Sequence, residues 1–189
     1  MIRIGILGDI GSGKSFVAKN FGYPVFNADD EVTSIYKKNK KVFIKLKKLF
    51  PQYIYSFPVD KREIAKVILT EKPNLKKIIK IIHKEVRKKM IYFIKKNKAK
   101  KIIILDIPLL LENKINKKKD ILIFVDSKKK DILKRLVKRK NFNKKLFNKF
   151  KEIEFSTQLK KKKSQFIIRN NFEKKTVKRD IKAILSKIL

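Results

Sequence analysis

The most constraining feature of the chain is the string Gly8-Asp9-Ile10-Gly11-Ser12-Gly13-Lys14-Ser15, which fills every fixed position of G-x-x-x-x-G-K-[ST]. Its surroundings suit it. Ile2 to Leu7 is a short apolar run that reads as a buried strand, and Lys14 to Phe21 follows with the helical spacing Phe16, Val17, Phe21. A strand, a glycine-rich turn and a helix, in that order, make the loop that cradles phosphates. Phosphate oxygens must approach backbone N–H groups closely, and side chains at Gly11 and Gly13 would obstruct them. The helix N-terminus adds partial positive charge. Lys14 reaches the β- and γ-phosphates, and the Ser15 hydroxyl is placed to ligate Mg²⁺. Gly8, Gly11, Ser12, Gly13, Lys14, Ser15 and Phe16 are therefore expected to hold ATP, with Mg²⁺ as the accompanying cofactor.

The rest of the chain supplies a frame for such a loop. Pro24 to Phe26 is a brief second strand, followed by a helix from Asn27 to Lys38, capped by Asn27, whose first turn carries Asp29 and Asp30, where the helix dipole favours acids. From Lys40 to Asn97 the pattern is mostly helical. Phe43, Leu46, Leu49 and Phe50 share one face; Ile64, Val67, Ile68 and Leu69 resume the pattern after a break at 51–58; Pro73 opens a long helix through Ile78, Ile82, Val86 and Ile94. Lys101 to Asp106 and Asp120 to Asp126 are continuous β-branched runs, as in parallel strands covered on both faces. A helix is expected over 128–140, further polar helix over 142–164, a last strand over 166–168 and an amphipathic helix over 173–189. This order predicts an α/β P-loop kinase fold with an open parallel sheet of about five strands. One domain, 1–189, would carry a helical substrate-binding insertion at about 31–97 and a lid at about 139–164.

Composition closes off several chemistries. There is no cysteine and a single histidine, His83, so disulfides, cysteine-held zinc, histidine-built metal sites and a Ser-His-Asp triad are not expected. No apolar run approaches the ~18 residues of a membrane helix. The chain enters its first strand without a charged leader, so a cytoplasmic protein with no membrane partner is expected. Lys plus Arg number 53 against 17 Asp plus Glu, a net charge of +36. Such a field attracts nucleic acid or anionic substrates. The lysines are scattered among Ile, Asn and Phe with no local basic cluster, so compositional bias with a solvated surface is the better reading, and no specific nucleic-acid partner is expected. The sequence does not fix the oligomeric state; a monomer is the simplest expectation.

Beyond the loop, several strings resemble the dephospho-CoA kinase family, which phosphorylates the 3′-hydroxyl of the ribose in dephospho-CoA. They are the phosphate loop at 8–15, Asn27-Ala28-Asp29, Leu105-Asp106-Ile107-Pro108-Leu109-Leu110-Leu111-Glu112-Asn113, and Phe124-Val125-Asp126 followed by Arg135 and Arg139. Weaker echoes are Ile82-His83 and the segment Phe166 to Asn170. The resemblance implies ATP and dephospho-CoA as partners. It implies Asp29 as the general base for the ribose hydroxyl, and Arg135 and Arg139 as lid residues that close on the transferring phosphate beside Lys14. It also implies substrate contacts by Asp29, His83, Pro108 and Leu109. Asp106, at the end of a buried strand, is placed to hold Mg²⁺ with Ser15. Arg135 and Arg139 are one helical turn apart, and in a lysine-rich chain arginine suits bidentate phosphate contact. Pro108 is expected to start a turn, and Glu112 to have a structural role, capping or anchoring the helix after it.

The chain departs from the family pattern at several positions. Asn27 stands where the first Asp of Asp-x-Asp is usual, Asp9 for a usual Gly, Phe16 for Thr, Thr33 for a frequent Arg and Lys84 for Pro, and Glu154 takes the place of a lid glutamine. Three other readings stay open on sequence alone: a kinase for a nucleoside or nucleotide, a nucleic-acid-binding ATPase, and a paralogue that binds ATP without catalysis.

Overall fold

The computed structural model describes residues 1–139 and 142–189. Its sheet is built from the β-branched runs: β1 (Ile2–Gly8), β2 (Val25–Asn27), β3 (Ile102–Asp106), β4 (Ile121–Asp126) and β5 (Phe166–Arg169). All pairings are parallel, and the strand order is β2-β3-β1-β4-β5. The register sets Ile4 against Ile104 on one side and Ile121 on the other, and Asn27 against Asp106 at the carboxyl ends. Ligands of open α/β sheets collect beyond those ends.

Two compact units emerge. The first comprises 1–27, 97–142 and 153–189 and contains the sheet. On one face, Ile4, Ile6, Ile104, Ile123 and Ile168 pack with Val17 and Ala18 of α1 (Lys14–Asn20) and with Val177, Ile181 and Ile184 of the last helix, Lys174–Ile188. Alternate residues point to the other face. There Gly5 makes room for its neighbours, since a Cβ on it would lie 2.6 Å from Leu110 and 2.9 Å from Leu122. The β3 and β4 interiors are fully apolar, as expected for strands covered on both faces.

At the sheet's opposite end Arg3 donates to Asp120 at 2.9 Å, the two side chains being 11% and 2% exposed, and Asp120 also accepts from the Lys117 N–H at 2.8 Å. Removing one partner of a buried pair leaves the other charge uncompensated. Asp120→Ala is therefore expected to destabilise the fold by about 3 kcal/mol, seen as a lowered urea midpoint at unchanged slope. An unmoved midpoint would show the pair to be dispensable.

The second unit comprises 28–96 and 143–152. It holds α2 (Ala28–Lys38), α3 (Lys40–Leu49), α4 (Lys61–Thr70), α5 (Lys72–Lys96) and, past a further helix of the first unit, α7 (Lys144–Glu152). The side chains of Asn39 and Asp60 cap α3 and α4 by accepting from the N–H groups of Val42 and Arg62. The buried stripe of α3 with its C-cap is Val42, Leu46 and Phe50, so the expected face is turned slightly and Leu49 is exposed. On α5 the stripe Leu75, Ile78, Ile82, Val86 ends at Met90 rather than Ile94.

Three other expectations change. The helix expected over 128–140 is α6 (Lys129–Val137), because Leu136 is the last side chain in it that reaches the core; the expected end residue Lys140 and the stop at Asn141 lie outside the described residues. The polar stretch after it is two helices, α7 and α8 (Thr157–Lys163), the second started by Ser156, whose hydroxyl accepts from the Leu159 N–H. After Pro108 the chain makes successive turns over 108–114 instead of a helix. The closing helix, Lys174–Ile188, is α9.

Candidate active site

The loop between β1 and α1 has the backbone the motif demands. Gly13 sits at φ 88°, and a Cβ there would come within 2.4 Å of Asn170 Nδ2 and 3.0 Å of the Phe172 ring. The Ser12 carbonyl is fixed by two donors, Ser127 Oγ at 2.8 Å and Asn170 Nδ2 at 2.8 Å. Lys14 folds back across the loop, its Nζ donating to the carbonyls of Gly8 at 2.9 Å and Asp9 at 3.1 Å. Its ammonium is thereby held over the first residues of the loop. Phe16 is half-buried and packs against the sheet core, a structural position within the motif.

Ser15, Asn27 and Asp106 come together at the carboxyl ends of β2 and β3. Asn27 Nδ2 donates to Asp106 Oδ2 at 2.8 Å and lies 3.5 Å from Ser15 Oγ. Asp106 is only 3% exposed. The neutral amide at 27, where the family pattern has a carboxylate, gives Asp106 a donor where a second carboxylate would repel it. The hydroxyl of Ser15 and the carboxylate of Asp106 are hard oxygen donors. No group of three or more His, Cys, Asp or Glu among the described residues forms a metal cage. That donor set fits Mg²⁺, which keeps several waters and completes its shell with substrate phosphates.

Asp9 turns its carboxylate to α8. Thr157 Oγ1 donates to it at 2.8 Å, and Lys160 Nζ lies 3.4 Å away and 3.1 Å from Glu154. Neither Thr157 nor Lys160 stood out in the sequence, where lysine is everywhere.

The two arginines differ. The Arg135 guanidinium, on α6, stacks over the Phe172 ring at 4.0 Å from its centroid, against the same loop that meets Gly13. Phe172 itself has φ 67°, a left-handed conformation uncommon for a bulky residue and typical of functional sites. Arg139 lies beyond the end of α6, its N–H donating to the Leu136 carbonyl, so only Arg135 stands on the helix itself. Pro108 and Leu109 occupy the turns after β3; Leu109 has φ 56°, and its carbonyl accepts from both the N–H and the side chain of Asn113. Glu112 accepts from the Phe155 N–H at 2.8 Å and so anchors the segment before α8.

In the helical unit, Asp29 lies in the first turn of α2, two residues past Asn27, and its carbonyl accepts from Thr33 Oγ1. Lys61 Nζ donates to the same Thr33 hydroxyl at 2.9 Å. Thr33 and Lys61 border a cavity of about 620 Å³ that also involves Tyr36, Lys37 and the 56–60 segment. His83 is not part of that cavity. It is half-buried on α5 and held below its ordinary 6.5 first by burial and then by the Arg87 charge. Below about pH 6.5 the unfolded chain binds more protons at this residue than the folded one, so acidification costs stability. Between about pH 7 and pH 5, His83→Gln is expected to lose less stability than the wild type in denaturant titrations. Equal losses would remove His83 from the acid response.

The dephospho-CoA kinase family model matches residues 2–176. The dephospho-CoA kinase of Wolbachia pipientis wMel is 33% identical over 190 residues, covering 98% of this chain and 97% of that protein. The enzyme of the same name from Thermus thermophilus is 27% identical, covering 99% and 92%. Among solved structures, TT1252 from Thermus thermophilus superposes with a TM-score of 0.79 at 27% identity, covering 100% of this chain and 98% of that one. The Campylobacter jejuni dephospho-CoA kinase, at 19% identity and a TM-score of 0.63, shares the fold over 98% and 96%. With the phosphate loop on β1 and the family pattern running from the first strand into the last helix, the chain belongs to the dephospho-CoA kinase family.

Proposed function

We propose that the chain transfers the γ-phosphoryl group of ATP to the 3′-hydroxyl of dephospho-CoA, the final step of coenzyme A synthesis, with Lys14 and Asp29 as its principal catalytic groups. The observation that carries this reading is the family match over residues 2–176, joined to a phosphate loop whose lysine is held over Gly8 and Asp9.

Backbone N–H groups of 11–15 bind the β-phosphate, and the Lys14 ammonium balances charge on the β- and γ-phosphates. Asp29 accepts the proton of the ribose 3′-hydroxyl as its oxygen bonds to the γ-phosphorus and the bond to the β,γ-bridging oxygen breaks. Phosphoryl transfer depends chiefly on such positioning and charge balance. Ser15 and Asp106 would hold Mg²⁺, which neutralises phosphate charge when bound. Arg139 closes on the transferring group, and Arg135, already stacked on Phe172, borders the nucleotide. In this reading His83, Pro108 and Leu109 contact dephospho-CoA, and the chain acts as a monomer.

A panel of acceptors offered with ATP tests this. Dephospho-CoA is expected to be phosphorylated far faster than nucleosides, nucleoside monophosphates or shikimate. Preference for any of those acceptors would overturn the assignment.

A further inference from the structure

The arrangement around Asp9 has no part in the transfer as described, yet it puts charge where the phosphates bind. Lys160 is the most deeply buried ammonium in an ion pair among the described residues, its side chain 4% exposed. Two carboxylates share it: Asp9 at 3.4 Å and Glu154 at 3.1 Å, the latter side chain 11% exposed. Thr157 donates to the other oxygen of Asp9 at 2.8 Å, which orients that carboxylate. The peptide carbonyl of Asp9 meanwhile accepts from Lys14. A single residue of the loop thus holds one lysine by its backbone and another by its side chain.

Charge balance gives the cluster a direction. Asp9 and Glu154 set two carboxylates against the one Lys160 ammonium, while Lys14 is bonded to the Asp9 carbonyl. Burial pushes the Glu154 carboxyl above the usual carboxylate range, Lys160 and Lys14 pull it back, and Asp9 adds to the rise. A triphosphate brings several further negative charges to Lys14. A buried lysine next to it is then drawn more strongly to phosphate oxygens than to two carboxylates that repel each other and the incoming group. Lysine suits this exchange because its ammonium is a point charge on a flexible stem with three rotatable donors.

We propose that Lys160 is a second phosphate-directed cation of the nucleotide site, held by Asp9 and Glu154 as internal stand-ins for phosphate, which a bound triphosphate displaces. Asp9 and Glu154 are positioning residues in this scheme: they act on the nucleotide through Lys160. The proposal rests on reading residues 8–15 as the nucleotide cradle and is independent of the acceptor.

Calorimetric titration with Mg²⁺–ATP alone, without dephospho-CoA, is the test. Lys160→Met is expected to weaken binding about tenfold, the size of one charge-assisted contact. Asp9→Asn is expected to tighten it about threefold to tenfold by ending the competition, a direction that simple loosening of the loop would not produce. Glu154→Gln is expected to act in the same sense and serves if Asp9→Asn folds poorly. In the Asp9→Asn/Lys160→Met double variant the gain should vanish, leaving the affinity of Lys160→Met. If the gain persists there, Asp9 acts on phosphate directly and the proposal fails. It also fails if neither Asp9→Asn nor Glu154→Gln tightens binding, or if Lys160→Met binds as the wild type does. Absence of any ATP binding by the wild type would instead overturn the cradle reading itself.

Discussion

Lys14→Ala is expected to lower kcat for ATP-dependent phosphorylation of dephospho-CoA by about a thousandfold. The transferring group carries its charge on oxygens that little else in the loop can balance, and Lys14 is held over the loop by the Gly8 and Asp9 carbonyls. Removing the ammonium takes away a donor aimed at that charge while leaving the backbone N–H groups that bind the β-phosphate. Nucleotide affinity should therefore fall much less than kcat. Lys14→Arg should not restore the rate, because a rigid planar fork cannot replace a point charge seated between two adjacent carbonyls. The half-buried side chain contributes little to the core, so the thermal midpoint should stay close to the wild type. Initial rates under saturating ATP, with a melting curve alongside, separate these outcomes. A variant that keeps a tenth or more of the wild-type rate, on the order of one lost kcal/mol, would show that Lys14 is not essential.

Asp29→Asn carries the second large effect, a fall in kcat of about 10²–10⁴-fold with ATP binding retained. Asparagine keeps the shape and cannot accept the ribose proton. Asp30 and Glu31 share the first turn of α2, where all three acids suit the positive end of the helix. Asp30→Asn is therefore the control, with kcat expected within about twofold of the wild type. Equal effects at 29 and 30 would reduce both to helix-terminal charges. Single-turnover kinetics decide this, because they read the transfer step apart from product release.

How much of this molecule could be read from its sequence depended on whether the signal was local. The phosphate loop was legible because each residue's role follows from its own spacing: Gly13 needs a positive φ, Lys14 a reach across the loop, and β1 a β-branched run. The parallel sheet was legible because Ile102–Asp106 and Ile121–Asp126 are apolar up to their final aspartates, the pattern of strands covered on both faces. Where an element ends by losing contact with the core, the sequence misled. Arg139 continues the helical spacing from Arg135, yet α6 stops after Leu136 has made its last packing contact. The turns after Pro108 carry a helical-looking run of leucines, but Leu110 and Leu111 are buried by the turn and Leu109 is held at positive φ by Asn113.

Long-range partners were harder still. Asn27 looked like a helix cap and a lost carboxylate; its amide bonds Asp106, seventy-nine positions away. Lys160 had no signal at all among 53 basic residues, since only the fold brings it to Asp9. Phe172 gave no hint either, being an ordinary phenylalanine until its φ of 67° and its stacking under Arg135 are seen. Asn170 was visible as the end of a familiar terminal segment, though not its bond to the Ser12 carbonyl.

The reaction is defined by which phosphate is transferred and which oxygen receives it. Purified protein should be incubated with Mg²⁺–ATP and dephospho-CoA, and the product resolved by mass and by ³¹P NMR. Stoichiometric ADP and coenzyme A are expected, with a new phosphomonoester on the ribose 3′-oxygen. ATP hydrolysis without a phosphorylated acceptor, or a phosphate on any other oxygen of dephospho-CoA, would contradict the assignment.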